Sequence, residues 1–278
     1  MNVTVNDIAK KIGFIEFSFE EVFMLPDSEK ERIEQLPEIG ICTDLEMLRS
    51  HLEFAGNRCC VYEALLRYFE MTISDTQQKI KKDKFGSYAH GKRLTILQTH
   101  RDIYELMGYL TLLQMDAITT TIGLLQAQND TERIMLSKHS YTIIYEAIIN
   151  NIPKKVCKEM YGYPESIVDI AELSHFWNKV KTILKKIMDR DFAKDVRNSI
   201  DAHKNNSFQR QITLYKKCEW VESIIFLSIF TKLIDTIQDY MNVINEKMEI
   251  IYEQYKEDIR CYIDRLEQIQ KELKNLKT

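Results

Sequence analysis

One short segment of the chain, Asp195 to Lys204, carries residue types that act on phosphate groups. In it, Asn198 directly follows Arg197, and His203 comes six residues after the arginine. A planar guanidinium donates two hydrogen bonds to a phosphate, and an imidazole with its ordinary pKa of about 6.5 moves a proton at neutral pH. The amide of Asn198 both donates and accepts hydrogen bonds. These three residues are the candidate catalytic group.

Two other pairs fit the spacing range of arginine and histidine, Arg133 with His139 at six positions and Arg93 with His100 at seven. In each of them an apolar residue follows the arginine, and the pair lies within a regular amphipathic pattern that predicts a helix. The polar residue after Arg197 therefore separates this segment from the other two. The alternative interpretation is that Arg197 and His203 are an ordinary arginine and histidine at a helix end, with no catalytic role.

The candidate segment lies in the basic part of an otherwise acidic chain. Between Phe176 and Cys218 there are eleven Lys and Arg against four Asp, a local net charge of +7, whereas the whole chain carries −4. Such a segment attracts a phosphate backbone. Lys194, Lys204 and Arg210 are the predicted nucleic-acid contacts. Several of the other lysines lie opposite an apolar helix face. The alternative to nucleic-acid binding is therefore that the basic residues form a solvent-exposed helix face.

The amino-acid composition predicts the fold class. Only 8 Gly and 4 Pro occur in 278 residues, while 45% of the residues are apolar and 29% are charged. This predicts an all-α antiparallel helical bundle and argues against turn-rich sandwiches and phosphate-loop α/β folds. No HxxxH, HExxH or CxxC pattern occurs, so we expect no metal, no cofactor and six free thiols. Without an export signal or a long apolar run, the expected location is cytoplasmic, with no membrane partner.

Breaks in the helical pattern indicate the organisation of the chain. Residues 1–42 read as a partly helical capping arm, and residues 43–278 read as a single helical bundle. Thr43-Asp44 with Glu46 predicts a capping box that starts a helix reaching about Lys82. The pattern then predicts a loop over 84–92, helices over 93–126 and 130–151, and polar turns at 189–191 and 204–207.

The last predicted helix carries a heptad seam with one stutter. Its apolar residues recur at steps of three or four from Ile234 to Leu276. If the helix is unbroken from about Leu214, it spans roughly 90 Å at ~1.5 Å per residue. The seam either packs inside the subunit against residues 93–126 or forms a coiled coil between molecules.

The arrangement of Arg197, Asn198 and His203 resembles the signature of the HEPN superfamily of all-α proteins, in which Arg is followed by a polar residue and, a few positions later, by His. Ala202 before the histidine is a common companion in such segments. The resemblance covers about residues 130–250.

The resemblance implies a homodimer in which both Arg-Asn…His segments face one cleft and cleave RNA without a metal. In that chemistry Arg197 stabilises the pentavalent phosphate, Asn198 orients phosphate or ribose, and His203 moves the proton. Such proteins often act as toxins or in antiphage defence, so an antitoxin or regulatory protein is a further expected partner. Two alternatives stay open: a non-catalytic HEPN-like module that binds a nucleotide or a protein, and a coiled-coil adaptor built on the C-terminal seam.

Overall fold

The computed structural model describes residues 29–82, 87–147, 190–198 and 208–275, and every regular element within these ranges is a helix. The helices, in chain order, are α1 (Glu29–Gln35), α2 (Leu45–Lys82), α3 (Ser87–Gln126), α4 (Asp130–Tyr145), α5 (Arg190–Val196), α6 (Phe208–Tyr215) and α7 (Trp220–Asn275). The all-α prediction is confirmed.

Helix α3 is the central element of the bundle. Helix α2 packs along it, α7 packs along another side, and α4 packs against both α3 and α7. Contacts along α3 show that it runs antiparallel to α7, because Gln114 bonds Asp235 whereas the earlier His100 bonds Asn245. Their shared core includes Phe230, fully buried. Burial of such apolar side chains, and not helix propensity, supplies most of the stability of helices this long.

The heptad seam of α7 is buried inside the subunit over its first half. Ile234, Ile237, Met241, Ile244 and Met248 are all at most 2% exposed. This part of the seam therefore packs inside the subunit against α3, which is the first of the two alternatives given above. Further along, Ile269 is 46% exposed.

One predicted cap and two predicted boundaries differ from the structure. Helix α2 begins at Leu45, and the carboxylate of Asp44, not Thr43, accepts the N–H groups of Glu46 and Met47 at 2.8 and 3.2 Å. The expected loop over 84–92 is largely helical, because α3 begins at Ser87 and includes Gly91. A glycine costs a helix about 1 kcal/mol relative to alanine, and the neighbouring Lys92 lies over the Tyr255 ring of α7, 6.0 Å from its centroid.

The third correction concerns the last helix, which is not continuous from Leu214. A turn over 216–219 separates α6 from α7, so α7 spans about 84 Å. Backbone hydrogen bonds from Lys217 to Leu214 and from Cys218 to Tyr215 close the turn, and the buried Cys218 anchors it in the core. No Gly or Pro marks this turn in the sequence.

The end of the predicted capping arm packs on α7. Leu36 and Ile41 are buried in the common core, and Lys232 donates a hydrogen bond of 2.9 Å to the carbonyl of Gly40. Gly40 has φ of 77°, a backbone conformation that favours glycine and turns the chain toward α2. Residues 1–28 of the arm and the predicted turn at 204–207 lie outside the described residues.

A polar network joins the three longest helices at mid-height. Arg58 of α2 donates to Gln114 of α3 at 2.5 Å and to Gln238 of α7 at 3.0 Å, and Gln114 donates to Asp235 at 2.7 Å. Burial raises the pKa of Asp235, although the bond from Gln114 and the charge of Arg58 act in the opposite direction. Networks of this kind fix the relative register of helices.

Candidate nucleic-acid interface

Helix α5 leads into the candidate segment, of which residues 195–198 are described, and α5 packs against α4. Ala193 and Val196 are fully buried, and the ring of Phe192 meets Tyr141 of α4 edge to face at 5.1 Å. These three apolar residues share one face of a helix, which is why so short an element can dock firmly. The docking brings the end of α5 beside the end of α4.

At this point the structure joins two of the predicted catalytic residues to a third that the sequence did not single out. The Nε of Arg197 donates to Oε1 of Glu146 at 2.5 Å, and its Nη1 donates to Oδ1 of Asn198 at 2.9 Å. The C-terminal ends of α4 and α5 continue here as π-helical turns, at 146–147 and at 197–198 respectively. Such turns are rare and are frequent at functional sites.

Arg197 retains donors for an anion. Its side chain is 27% exposed and that of Glu146 is 34% exposed, so the pair lies at the protein surface. Among the described residues, Nη2 of Arg197 and the amide nitrogen of Asn198 make no hydrogen bond. The bonds to Glu146 and Asn198 fix the plane of the guanidinium, so the remaining N–H groups are pre-oriented.

The surroundings of Arg197 carry exposed cations. Lys194, three positions before Arg197, is exposed, as is Arg210, which pairs with Asp195 at 3.1 Å. Both partners of that pair are about half exposed, so the pair contributes little to stability and leaves Arg210 accessible. Thus Lys194 and Arg210, two of the predicted nucleic-acid contacts, are at the surface. His203 and Lys204 lie outside the described residues.

The two other histidines with the matching spacing have different environments. His100 is 4% exposed, its ring stacks on Phe69 at 5.4 Å, and its Nδ1 lies 2.8 Å from Oδ1 of Asn245. His139 is exposed on α4, where the neighbouring Arg133 stacks over Trp220. The core environment of His100 suits packing and not proton transfer to a bound substrate.

The burial of His100 predicts a specific dependence of stability on pH. Burial lowers the pKa of His100, while the bond with Asn245 and the charge of Glu249 oppose this shift. The unfolded chain therefore binds a proton more readily, and stability is lost as pH falls below about 6.5. We expect the free energy of unfolding of the wild type to fall more between pH 7.5 and 5 than that of His100→Gln. Denaturant titration measures this, and equal losses would contradict it.

Among the described residues, no group of three His, Cys, Asp or Glu side chains could hold a metal ion. Within the same ranges, no helix is long and apolar enough to cross a membrane. Comparisons of the chain with protein-family models, with curated proteins and with solved structures found no match.

Proposed function

We propose that the protein is a metal-independent endoribonuclease of the HEPN type, with Arg197, Asn198 and His203 as its catalytic residues. The observation that carries the proposal is the surface position of Arg197, whose guanidinium is held by Glu146 and Asn198 and keeps one nitrogen for an anion. Its setting among exposed cations supports a phosphate as that anion. No metal-binding group is required by this chemistry.

The proposed reaction is transfer of a phosphate within the RNA chain. The ribose 2′-oxygen attacks the adjacent phosphorus, and the bond from phosphorus to the 5′-oxygen breaks. His203 moves the proton, which leaves the 2′-hydroxyl and is replaced on the 5′-oxygen. Nη2 of Arg197 donates to the non-bridging oxygens, where negative charge grows in the transition state. The amide of Asn198 donates to the phosphate or to the ribose. The products are a 2′,3′-cyclic phosphate and a 5′-hydroxyl.

A homodimer is part of the proposal. Arg197 and His203 are six positions apart, which on a straight helix places their side chains about 120° apart. One copy does not readily flank a phosphate with both groups, whereas two copies around a two-fold axis do. A toxin or an antiphage effector, controlled by an antitoxin or another regulatory protein, is the biological setting that the resemblance implies.

Glu146 is the positioning residue in this account. Glu146→Gln removes a negative charge next to the phosphate site but also loosens the hold on Arg197. We expect KM for RNA to fall, because repulsion of the phosphate is lost, and kcat to fall about tenfold, because the guanidinium is less ordered. Steady-state cleavage kinetics separate the two effects. A kcat equal to that of the wild type would show that Glu146 does not position Arg197.

Binding of RNA should depend strongly on salt. The overall charge is −4, so attraction must come from the local cations of the 176–218 segment. We expect the affinity for a labelled RNA to fall by about tenfold or more between roughly 50 and 200 mM salt. Fluorescence anisotropy at several salt concentrations measures this. An affinity that does not change with salt would show that the basic segment does not bind RNA and that its lysines only face solvent.

The ion pair of Arg197 with Glu146 also favours a second candidate function, the non-catalytic HEPN-like binding module. A guanidinium whose charge is already balanced by a carboxylate stabilises a transition state less than a free one. Such a module binds RNA or a nucleotide and leaves it intact. The experiment that separates the two functions is incubation with RNA: binding without cleavage supports the module. The coiled-coil adaptor is less favoured, because half of its seam is buried within the subunit.

A further inference from the structure

Helix α2 has two apolar faces, and one of them has no partner within the described subunit. Its inner face packs into the bundle through residues such as Leu48, Ala55 and Ile73. Its outer face carries a row of residues seven positions apart that are 51 to 62% exposed: Met47, Phe54, Val61 and Tyr68. Met71, 75% exposed, extends the row. A contiguous row of exposed large apolar side chains marks an interaction surface.

The row is half of a coiled-coil seam. With Met47 as the first a position of a heptad, the a positions are Met47, Phe54, Val61 and Tyr68. The d positions are then Ser50, Asn57, Ala64 and Met71. All eight are exposed, and the buried residues of α2 fall on the opposite side. We call these eight residues the outer seam. Such a heptad pattern on an exposed helix fits a second helix with the same pattern.

We propose that the outer seam pairs two copies of this chain as an antiparallel coiled coil. In antiparallel pairing each a residue faces a d residue of the other copy, and two of the four kinds of layer then match a large with a small side chain, while Met47 faces Met71 and Val61 faces Asn57. Phe54 meets Ala64 of the second copy, and Tyr68 meets Ser50 of the second copy. Parallel pairing would set Phe54 against Phe54 and Ala64 against Ala64, which leaves crowding in one layer and a gap in another. The size pattern thus favours the antiparallel register.

Charge complementarity supports the same register. The antiparallel register brings Glu53 beside Arg67 of the second copy, and the same contact occurs twice because the two copies are related by a two-fold axis. Glu53 has no ion pair among the described residues, and Arg67 bonds Glu63 of its own helix. Near the axis, on the other flank, Arg58 is bonded to Gln114 and Gln238 inside the bundle. Its guanidinium also lies over the Phe54 ring, 5.0 Å from the centroid, so it borders the outer seam while its N–H groups bond within the bundle.

The outer seam is distinct from the Arg197 site. Helix α5 packs on α4, whereas α2 packs on α3. The inference therefore does not rest on the proposed nuclease function, and dimerisation can be measured without RNA.

The first test is the oligomeric state of the purified full chain, measured by sedimentation over a range of concentrations. We expect association through the outer seam at micromolar concentration, which gives a dimer on its own and a tetramer where the separate two-fold pairing at the Arg197 cleft also forms. Val61→Glu puts a charge into the middle of the outer seam and should raise the dissociation constant by about 100-fold. Gln77→Glu adds the same charge to an exposed position of α2 beyond the seam and should leave the constant unchanged, and circular dichroism checks that both variants fold.

A monomeric wild type would overturn the proposal and leave this face to another part of the chain or to another protein. A Val61→Glu variant that dimerises as the wild type does would assign the dimer to a different surface.

The second test is the direction of pairing. In the antiparallel register the exposed Cys60 lies beside the two-fold axis, next to Cys60 of the second copy. In parallel pairing the two copies of Cys60 lie on opposite sides of the seam. A short bismaleimide should therefore join two wild-type chains, and Cys60→Ser should prevent this while Cys261→Ser should not. A wild-type dimer that cross-links through Cys261, or not at all, would overturn the antiparallel arrangement.

Discussion

His203→Ala should lower RNA cleavage by about 10²-fold or more, with helical content and melting temperature nearly unchanged. This is the scale of effect when a general acid or base is lost. Cleavage of a labelled RNA, followed at several enzyme concentrations, measures the change. The expected loss appears in kcat, because the imidazole acts in the proton-transfer step and contributes little to ground-state binding.

His139→Ala is the matched control for this variant. His139 has the bare spacing to Arg133, is exposed on α4 and should be dispensable for cleavage. His100 is a poor control, because its burial against Phe69 makes a loss of folding stability the dominant effect. If His139→Ala abolishes cleavage and His203→Ala does not, the catalytic motif has been assigned to the wrong segment.

Arg197→Lys should be the second most damaging change, with a loss of about 10² to 10³-fold in kcat. Lysine keeps the positive charge beside Glu146 but lacks the forked N–H groups that hold Glu146, Asn198 and a phosphate together. Because the charge is retained, Glu146 is not left as an unpaired carboxylate, and the free energy of unfolding should change by less than about 1 kcal/mol.

Arg210→Lys provides the comparison at a neighbouring arginine. Its pair with Asp195 is exposed and tolerates a lysine, so cleavage should stay within about threefold of the wild type. Equal activities of the Arg197→Lys and Arg210→Lys variants would remove Arg197 from the catalytic group and support the binding-module alternative.

The helical class and most helix limits could be predicted from the sequence. The ends of α2 and α3 at Lys82 and Gln126 follow from where the apolar periodicity stops. The early start of α3 was missed because Gly91 signals a loop although the structure places it within the helix. The turn at 216–219 was missed because local backbone hydrogen bonds and the buried Cys218 form it without Gly or Pro.

The candidate site was predictable only where its residues are neighbours in sequence. Arg197 and Asn198 were found because they are adjacent and form a short Arg-Asn…His pattern with His203. Glu146 was missed, since it lies 51 residues away and is one of 42 acidic residues in the chain. The fold alone pairs it with Arg197, when α5 docks on α4. The exposed row on α2 follows a heptad pattern, but the sequence does not tell which of its two apolar faces is turned outward.

The most direct test of the central claim is incubation of the purified protein with several end-labelled RNAs in EDTA, with analysis of the product ends. The proposed chemistry predicts cleavage that EDTA does not inhibit, with 2′,3′-cyclic phosphate and 5′-hydroxyl termini, and predicts that Arg197→Lys and His203→Ala lack it. Absence of cleavage of every RNA, or products that carry a 5′-phosphate and appear only with added divalent metal, would contradict the account.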